Sequence, residues 1–274
     1  MKARLLLLLA LALVTESFSQ VSLYSENFDS GGTPFALNAA DLGGANVVNT
    51  WLINNSYLGG SGTITCLGFP FTFTINSVSN QPAGITNFPN SNYMHITAQS
   101  GIANAVFCGS YAAADGICVL EEPNFTKMSA PINTIGYSNV SLDFWWVCGG
   151  SPDAYGEVYY SLDGGVSWNL KQSLYNNSTS WTQATTLSDP LWDNAASLMI
   201  GYNFINIAAG TAMDPGFSID DVSITGLVAV NTIATANDFT PSSWCHGPEV
   251  AGAISFVSTG IYNPSNIYYA ELSD

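Results

Sequence analysis

Basic side chains are nearly missing from this chain. Its 274 residues carry 20 acidic and 4 basic side chains, a formal net charge of −16. Lys2 and Arg4 stand at the extreme N-terminus, which leaves Lys127 and Lys171 for the remainder and no further arginine. Nucleic-acid binding is excluded, because displacing counterions from phosphates takes clustered Lys and Arg. Attachment to anionic lipid through a basic patch fails for the same reason, and no guanidinium is left to clamp a phosphate or carboxylate. The histidines are His95 and His246 alone, too few for a site built on several imidazoles. No CxxC pair, GxSxG, HExxH or phosphate loop occurs, so the common zinc, nucleophile and nucleotide signatures are absent.

What is present begins with a leader. Lys2 and Arg4 precede a ten-residue apolar run from Leu5 to Val14, and Ser17 and Ser19 supply small residues before a cleavage point. Residues 1–19 read as a secretory signal, too short for a bilayer span of roughly 20 residues. No later segment is apolar enough to span a membrane. The expected product is secreted or held at the cell surface, without membrane insertion. Cysteine usage suits an oxidising space: Cys66, Cys108, Cys118 and Cys148 form an even set, with Cys245 left over. Four cysteines allow three pairings and sequence does not choose among them. The short separation favours Cys108 with Cys118, leaving Cys66 with Cys148.

Helix-favouring Glu, Lys, Arg and Gln are scarce, and short β-type runs recur between Gly and Asn turns. Val140–Val147 (VSLDFWWV) puts Val140, Leu142, Phe144 and Trp146 on one face, and Leu198–Ile205 (LMIGYNFI) does the same with Leu198, Ile200, Tyr202 and Phe204. The expected fold is all-β: an antiparallel jelly-roll β-sandwich over residues 20–226, followed by an incomplete Ig-like β domain over 227–274. Those last 48 or so residues hold too few strands to close a sandwich. They predict that the chain is part of a longer protein, with further domains C-terminal.

The most informative segment is Phe217-Ser218-Ile219-Asp220-Asp221-Val222-Ser223-Ile224. Phe217 and Ile219 share one parity, Val222 and Ile224 the other. A strand's side-chain period is two, so the apolar face can continue only if an extra residue is inserted at the aspartates, as in a β-bulge. A bulge there aims a carboxylate inward, and an unpaired buried carboxylate is costly. With hardly any cationic side chains to pair with, the expected counter-charge is a hard cation with oxygen ligands, calcium in a secreted protein. Glu26 and Asp29, after the first strand, can meet Asp220 and Asp221 if the first and last strands are neighbours.

Other features bear on chemistry. Ser161–Trp168 (SLDGGVSW) resembles the Asp-box turn of sialidases, a structural device; a sialidase would need several boxes and an arginine cluster. His95 lies in a strand-like run without partner motifs and reads as structural. Glu121, Glu122 and Glu157 are the carboxylates a glycosidase could use, but they read better as loop and strand-face residues. Trp145 lies opposite the apolar face of its strand, and Tyr159 opposite Val158 and Tyr160. Together they read either as an aromatic strip for a glycan or protein partner, or as residues covered by a loop or neighbouring domain.

Three segments together carry a family resemblance: Tyr137–Trp168 (YSNVSLDFWWVCGGSPDAYGEVYYSLDGGVSW), the ENFD beginning at Glu26, and Gly216–Gly226 (GFSIDDVSITG). From Leu23 to Gly226 the chain resembles the MAM-like jelly rolls of secreted bacterial surface proteins, including cleaved-adhesin and choice-of-anchor domains, often exported by the type IX pathway. The tail from Thr240 to Asp274 resembles the opening of an Ig-like repeat. The resemblance implies a non-catalytic adhesion module, not an enzyme. It also implies structural calcium held by Glu26, Asp220 and Asp221, with Asp29 in addition, and an extracellular protein or glycan ligand. The alternative is a carbohydrate-binding module, using Trp145 and Tyr159, of a secreted hydrolase whose catalytic domain lies outside this chain.

Overall fold

The computed structural model describes residues 20–43, 48–207 and 213–229, together with the backbone of 232–235 and 256–259. Its main body is an all-β sandwich of two antiparallel sheets. The first contains β1 (Gln20–Glu26), β3 (Asn49–Asn54), β6 (Tyr93–Ala98), β8 (Tyr137–Cys148), β11 (Ser178–Gln183), β12 (Leu187–Ser188) and β14 (Ser218–Val228). The second contains β2 (Phe35–Ala39), β7 (Asn124–Met128), β9 (Ala154–Ser161), β10 (Asn169–Tyr175) and β13 (Met199–Asn206). Four strands of the first sheet run in the order β11-β8-β14-β6, and four of the second in the order β10-β9-β13-β7. Followed along the chain, these eight strands cross between sheets in the jelly-roll pattern, as the strand spacing predicts.

Alternation builds the core. Val140, Leu142 and Phe144 of β8 and Ile200, Tyr202 and Phe204 of β13 are all buried between the sheets. Aromatic rings interlock there: Phe217 stacks on Tyr175 with centroids 5.6 Å apart and meets Trp51 edge-on at 6.1 Å. Gly156 makes room for this packing, since a Cβ on it would lie 2.4 Å from the Phe217 ring. The Asp-box segment closes the β9–β10 hairpin. Asp163 accepts from the amides of Val166 and Ser167, each at 3.0 Å, and Trp168 packs edge-on to Phe125 at 4.9 Å. The Ser167 hydroxyl and these amides hold the Asp163 carboxyl below the usual range.

Between β3 and β6 the chain makes a separate hairpin, β4 (Gly60–Cys66) with β5 (Phe69–Ile75), then a long irregular segment, residues 76–92. Tyr57, Ile75, Val78, Ile85, Tyr93, Val147 and Trp181 form a second apolar cluster there. The cysteine pairing differs from the expected one. Cys66 is bonded to Cys118 across a Cα separation of 5.8 Å, while Cys108 and Cys148 are free and buried. Proximity in sequence was a poor guide: Cys108 packs in the second cluster and Cys148 in the main core, whereas Cys118 lies in a loop that reaches the tip of the β4–β5 hairpin. Beyond the sandwich, β15 (Thr232–Thr235) pairs with β16 (Phe256–Thr259). The leader, residues 1–19, Cys245, His246 and most of the proposed Ig-like segment lie outside the described residues.

Candidate functional site

β14 carries the bulge that its parity demands. Against β8, Asp220 is opposite Trp145 and Ser223 opposite Asp143, so three steps on β14 match two on β8. Asp221 takes the extra position with φ 46°, the left-handed region that costs a non-glycine residue roughly 1–2 kcal/mol. Phe217, Ile219, Val222 and Ile224 are consequently all buried on the core side. The other edge of β14 also changes at this point. Before the bulge its partner is β6, with Ser218 opposite His95 and Ile219 opposite Met94. After it the partner is β1, with Val222 opposite Glu26.

The split between β6 and β1 is filled by polar side chains. Asp220 is fully buried. Its Oδ2 accepts from Gln81 Nε2 and lies 3.4 Å from Ser91 Oγ, and its Oδ1 accepts from the Asp221 amide at 2.7 Å. Gln81 is fixed in turn, its Oε1 accepting from the Ser91 amide at 2.9 Å and Ser91 Oγ at 2.6 Å. Burial above all, then the nearby carboxylates of Asp221 and Asp29, push the Asp220 carboxyl up to about 8. Asp29 accepts from the Asn92 amide at 2.9 Å and from Asn87 Nδ2 at 2.8 Å. Tyr57 borders the pair: its hydroxyl donates to the Ser91 carbonyl at 2.8 Å, and burial, Tyr93, Asp220 and Asp29 raise its phenol.

Of the four expected ligands, Asp221 and Asp29 both act on Asp220 through their charge. Asp221 turns outward, its Oδ2 accepting from the Thr86 amide at 2.7 Å and hydroxyl at 3.0 Å. Glu26 caps its own turn, with Oε1 2.5 Å from the Phe28 amide. Both lysines among the described residues are engaged elsewhere, Lys127 with Asp41 at 2.5 Å and Lys171 with Asp189 at 3.0 Å. The oxygen chemistry around Asp220 and Asp29 suits a hard cation. Among the described residues, however, no group of three or more His, Cys, Asp or Glu gathers as a metal cluster. An ion here would take two carboxylates plus neutral oxygens.

Trp145 and Tyr159 do not make one strip. Consecutive strands β8 and β9 belong to opposite sheets, so the two rings lie on different faces of the sandwich. Trp145 is half-buried against the second cluster, with Gly84 of the 76–92 segment at its edge. Tyr159 packs edge-on to Phe125 at 6.0 Å and donates to Glu157 at 2.9 Å. Glu157 also accepts from Asn203 Nδ2 at 3.1 Å, and Glu122 accepts from the amides of Val48 and Asn49. His95 is fully buried, stacked on Tyr93 at 4.6 Å, and burial lowers it to about 4. These groups hold the fold together. Gln81, Ser91, Asn92 and Tyr57 carried no sequence signal, because they converge from loops without periodicity.

No protein-family model matches this chain, and no curated protein does. Among solved structures it is similar to the K1 cleaved adhesin domain of Lys-gingipain from Porphyromonas gingivalis W83, at 15% identity over 75% of this chain and 97% of that one, with a TM-score of 0.34. It is similar to the K3 cleaved adhesin domain of the same protein at 13% identity, over 74% and 98%, with a TM-score of 0.35. The enzymatically active domain of bacteriophage CBA120 tailspike protein 4 is matched at 12% identity, over 70% of this chain and 21% of that one, with a TM-score of 0.30. Likeness at this level assigns neither ligand nor activity to this chain.

Proposed function

We propose that this chain is a secreted or surface-held, non-catalytic binding module whose jelly roll is stabilised by calcium at the junction of β1, β6 and β14. The observation that carries the cation is Asp220: a fully buried carboxylate beside a second carboxylate, with both lysines committed to other partners. Such a charge is expensive to bury alone, and a divalent ion reverses the repulsion that two carboxylates exert on each other. Asp29 and Asp220 are the anchoring ligands in this reading. Asp221 and Glu26 can join them only through the oxygens that Thr86 and Phe28 do not occupy. The leader and the oxidised Cys66–Cys118 pair favour an extracellular place.

Thermal unfolding with calcium and with EDTA tests this. Binding to the folded state alone adds about 2.7 kcal/mol at a hundredfold excess over Kd, so the melting temperature should rise by several degrees in calcium. The rise should vanish in Asp220→Asn and in Asp29→Asn. Equal melting temperatures in calcium and EDTA would remove the cation from the account.

A further inference from the structure

The bulge turns Asp221 to the outer face of the first sheet, and there it borders a cleft of about 520 Å3. Sheet register builds the floor in two rows. Ser25 of β1, Ser223 of β14 and Asp143 of β8 stand side by side across three strands. Two residues along, Trp145 of β8 and Gln183 of β11 are paired and form the second row, and the bulge adds Asp221 of β14 to the same lining. Both rows belong to the outward parity, since Leu142, Phe144, Val222 and Ile224 of the same strands are buried. The volume lies within the range of ligand clefts, about 300–1,000 Å3.

Much of the hydrogen-bonding capacity here is unspent. Asp143 accepts one bond, from Thr186 Oγ1 at 2.5 Å on Oδ1, and Asp221 accepts both Thr86 bonds on Oδ2. The second oxygen of each carboxylate, the Gln183 side-chain amide and the hydroxyls of Ser25 and Ser223 have no protein hydrogen-bond partner among the described residues. No lysine lines the cleft, so nothing would neutralise a phosphate, sulfate or carboxylate. A purely cationic group would answer only the acceptors. Sugar hydroxyls donate and accept at once, and the apolar face of a pyranose suits an indole.

We propose that this cleft binds a neutral saccharide, with Asp143, Asp221 and Gln183 reading hydroxyls beside Trp145. The proposal rests on the reading of the chain as a binding module, but not on its cation. The test is an array of neutral mono- and oligosaccharides probed with the full chain in calcium and in EDTA, followed by titration calorimetry with the strongest binder. Asp143→Ala and Gln183→Ala are the variants of choice, since Trp145 also supports the second apolar cluster. At least one neutral glycan should bind, and each variant should weaken it tenfold or more; Gln183→Ala should leave the melting temperature unchanged, while Asp143→Ala also loses the Thr186 bond but should stay folded. The cleft proposal is overturned if no neutral glycan binds, if both variants bind like the parent, or if an oligo-arginine peptide binds and no glycan does. Glycan binding without any thermal response to calcium would overturn the cation alone, and the converse result would overturn the cleft alone.

Discussion

Burying Asp220 makes its protonation a term in folding stability, and the sign follows from the direction of the shift. The carboxyl is raised from its ordinary 3.8 to about 8, so between those values the folded state holds a proton that the unfolded state has lost. Stability must then fall as pH rises through this window. Asp214, raised by burial to about 6, acts in the same direction at the acid end, while His95, lowered to about 4, acts in the opposite direction up to its ordinary value of 6.5. Above pH 6.5 these two have finished titrating, and Asp220 is the carboxyl still doing so. Melting curves in EDTA should therefore drop between pH 6.5 and 8 by several degrees, and Asp220→Asn should abolish that drop. The same substitution should raise the melting temperature at pH 8 in EDTA while removing any gain from calcium. A variant destabilised at pH 8 would show that the carboxylate is held by protein groups alone. The parity conflict around Asp220 was legible in sequence. Its partners Gln81 and Ser91 were not, because a fold-specific convergence of two loop residues leaves no periodic trace.

At the scale of the strand, β14 solves two problems with one inserted residue. It keeps Phe217, Ile219, Val222 and Ile224 on the core side, and it marks the place where its edge partner changes from β6 to β1. The first was readable because alternation is a local rule. The second was not, since the partner of a strand depends on chain folded far away. The expected Trp145–Tyr159 strip failed for a related reason: alternation gives the face of a side chain but not the sheet of its strand, and β8 and β9 lie in opposite sheets. The left-handed backbone at Asp221 separates two contributions experimentally. Asp221→Ala loses both Thr86 bonds and keeps the strained φ of 46°. Asp221→Gly loses the same bonds but relieves the strain, since glycine occupies this region freely. Glycine should exceed alanine by about 1 kcal/mol in urea-unfolding free energy. Equal stabilities would mean that position 221 relaxes out of the left-handed region.

For the molecule as a whole, the all-β sandwich class was legible in short alternating strands and turn residues, which are local signals, whereas the order of the strands was not. The cysteine pairing did not, because it depends on where the β4–β5 hairpin docks. With a sequence separation of 52 residues, the Cys66–Cys118 bond removes unfolded-state entropy worth about 4 kcal/mol in the chain-closure treatment. It fastens the hairpin to the 111–123 loop, which is otherwise attached to the sandwich by the Tyr111 ring against Phe204 and by side-chain bonds such as the Ala112 amide to Asn49 Oδ1 at 2.8 Å and the Ala114 amide to Asn206 Oδ1 at 2.9 Å. The free thiols should behave differently. Burial pushes Cys108 up to about 12 and Cys148 higher still, leaving almost no thiolate to react near neutral pH. Iodoacetamide added to the native protein should spare both, and guanidinium should make both reactive. Peptide mapping without reduction should recover Cys66 joined to Cys118, and Cys66→Ala with Cys118→Ala should lower stability by several kcal/mol while Cys108→Ala leaves the linked peptide intact. Recovery of Cys66 joined to Cys148, or rapid native labelling of Cys108, would contradict the docking of the hairpin on which this arrangement depends.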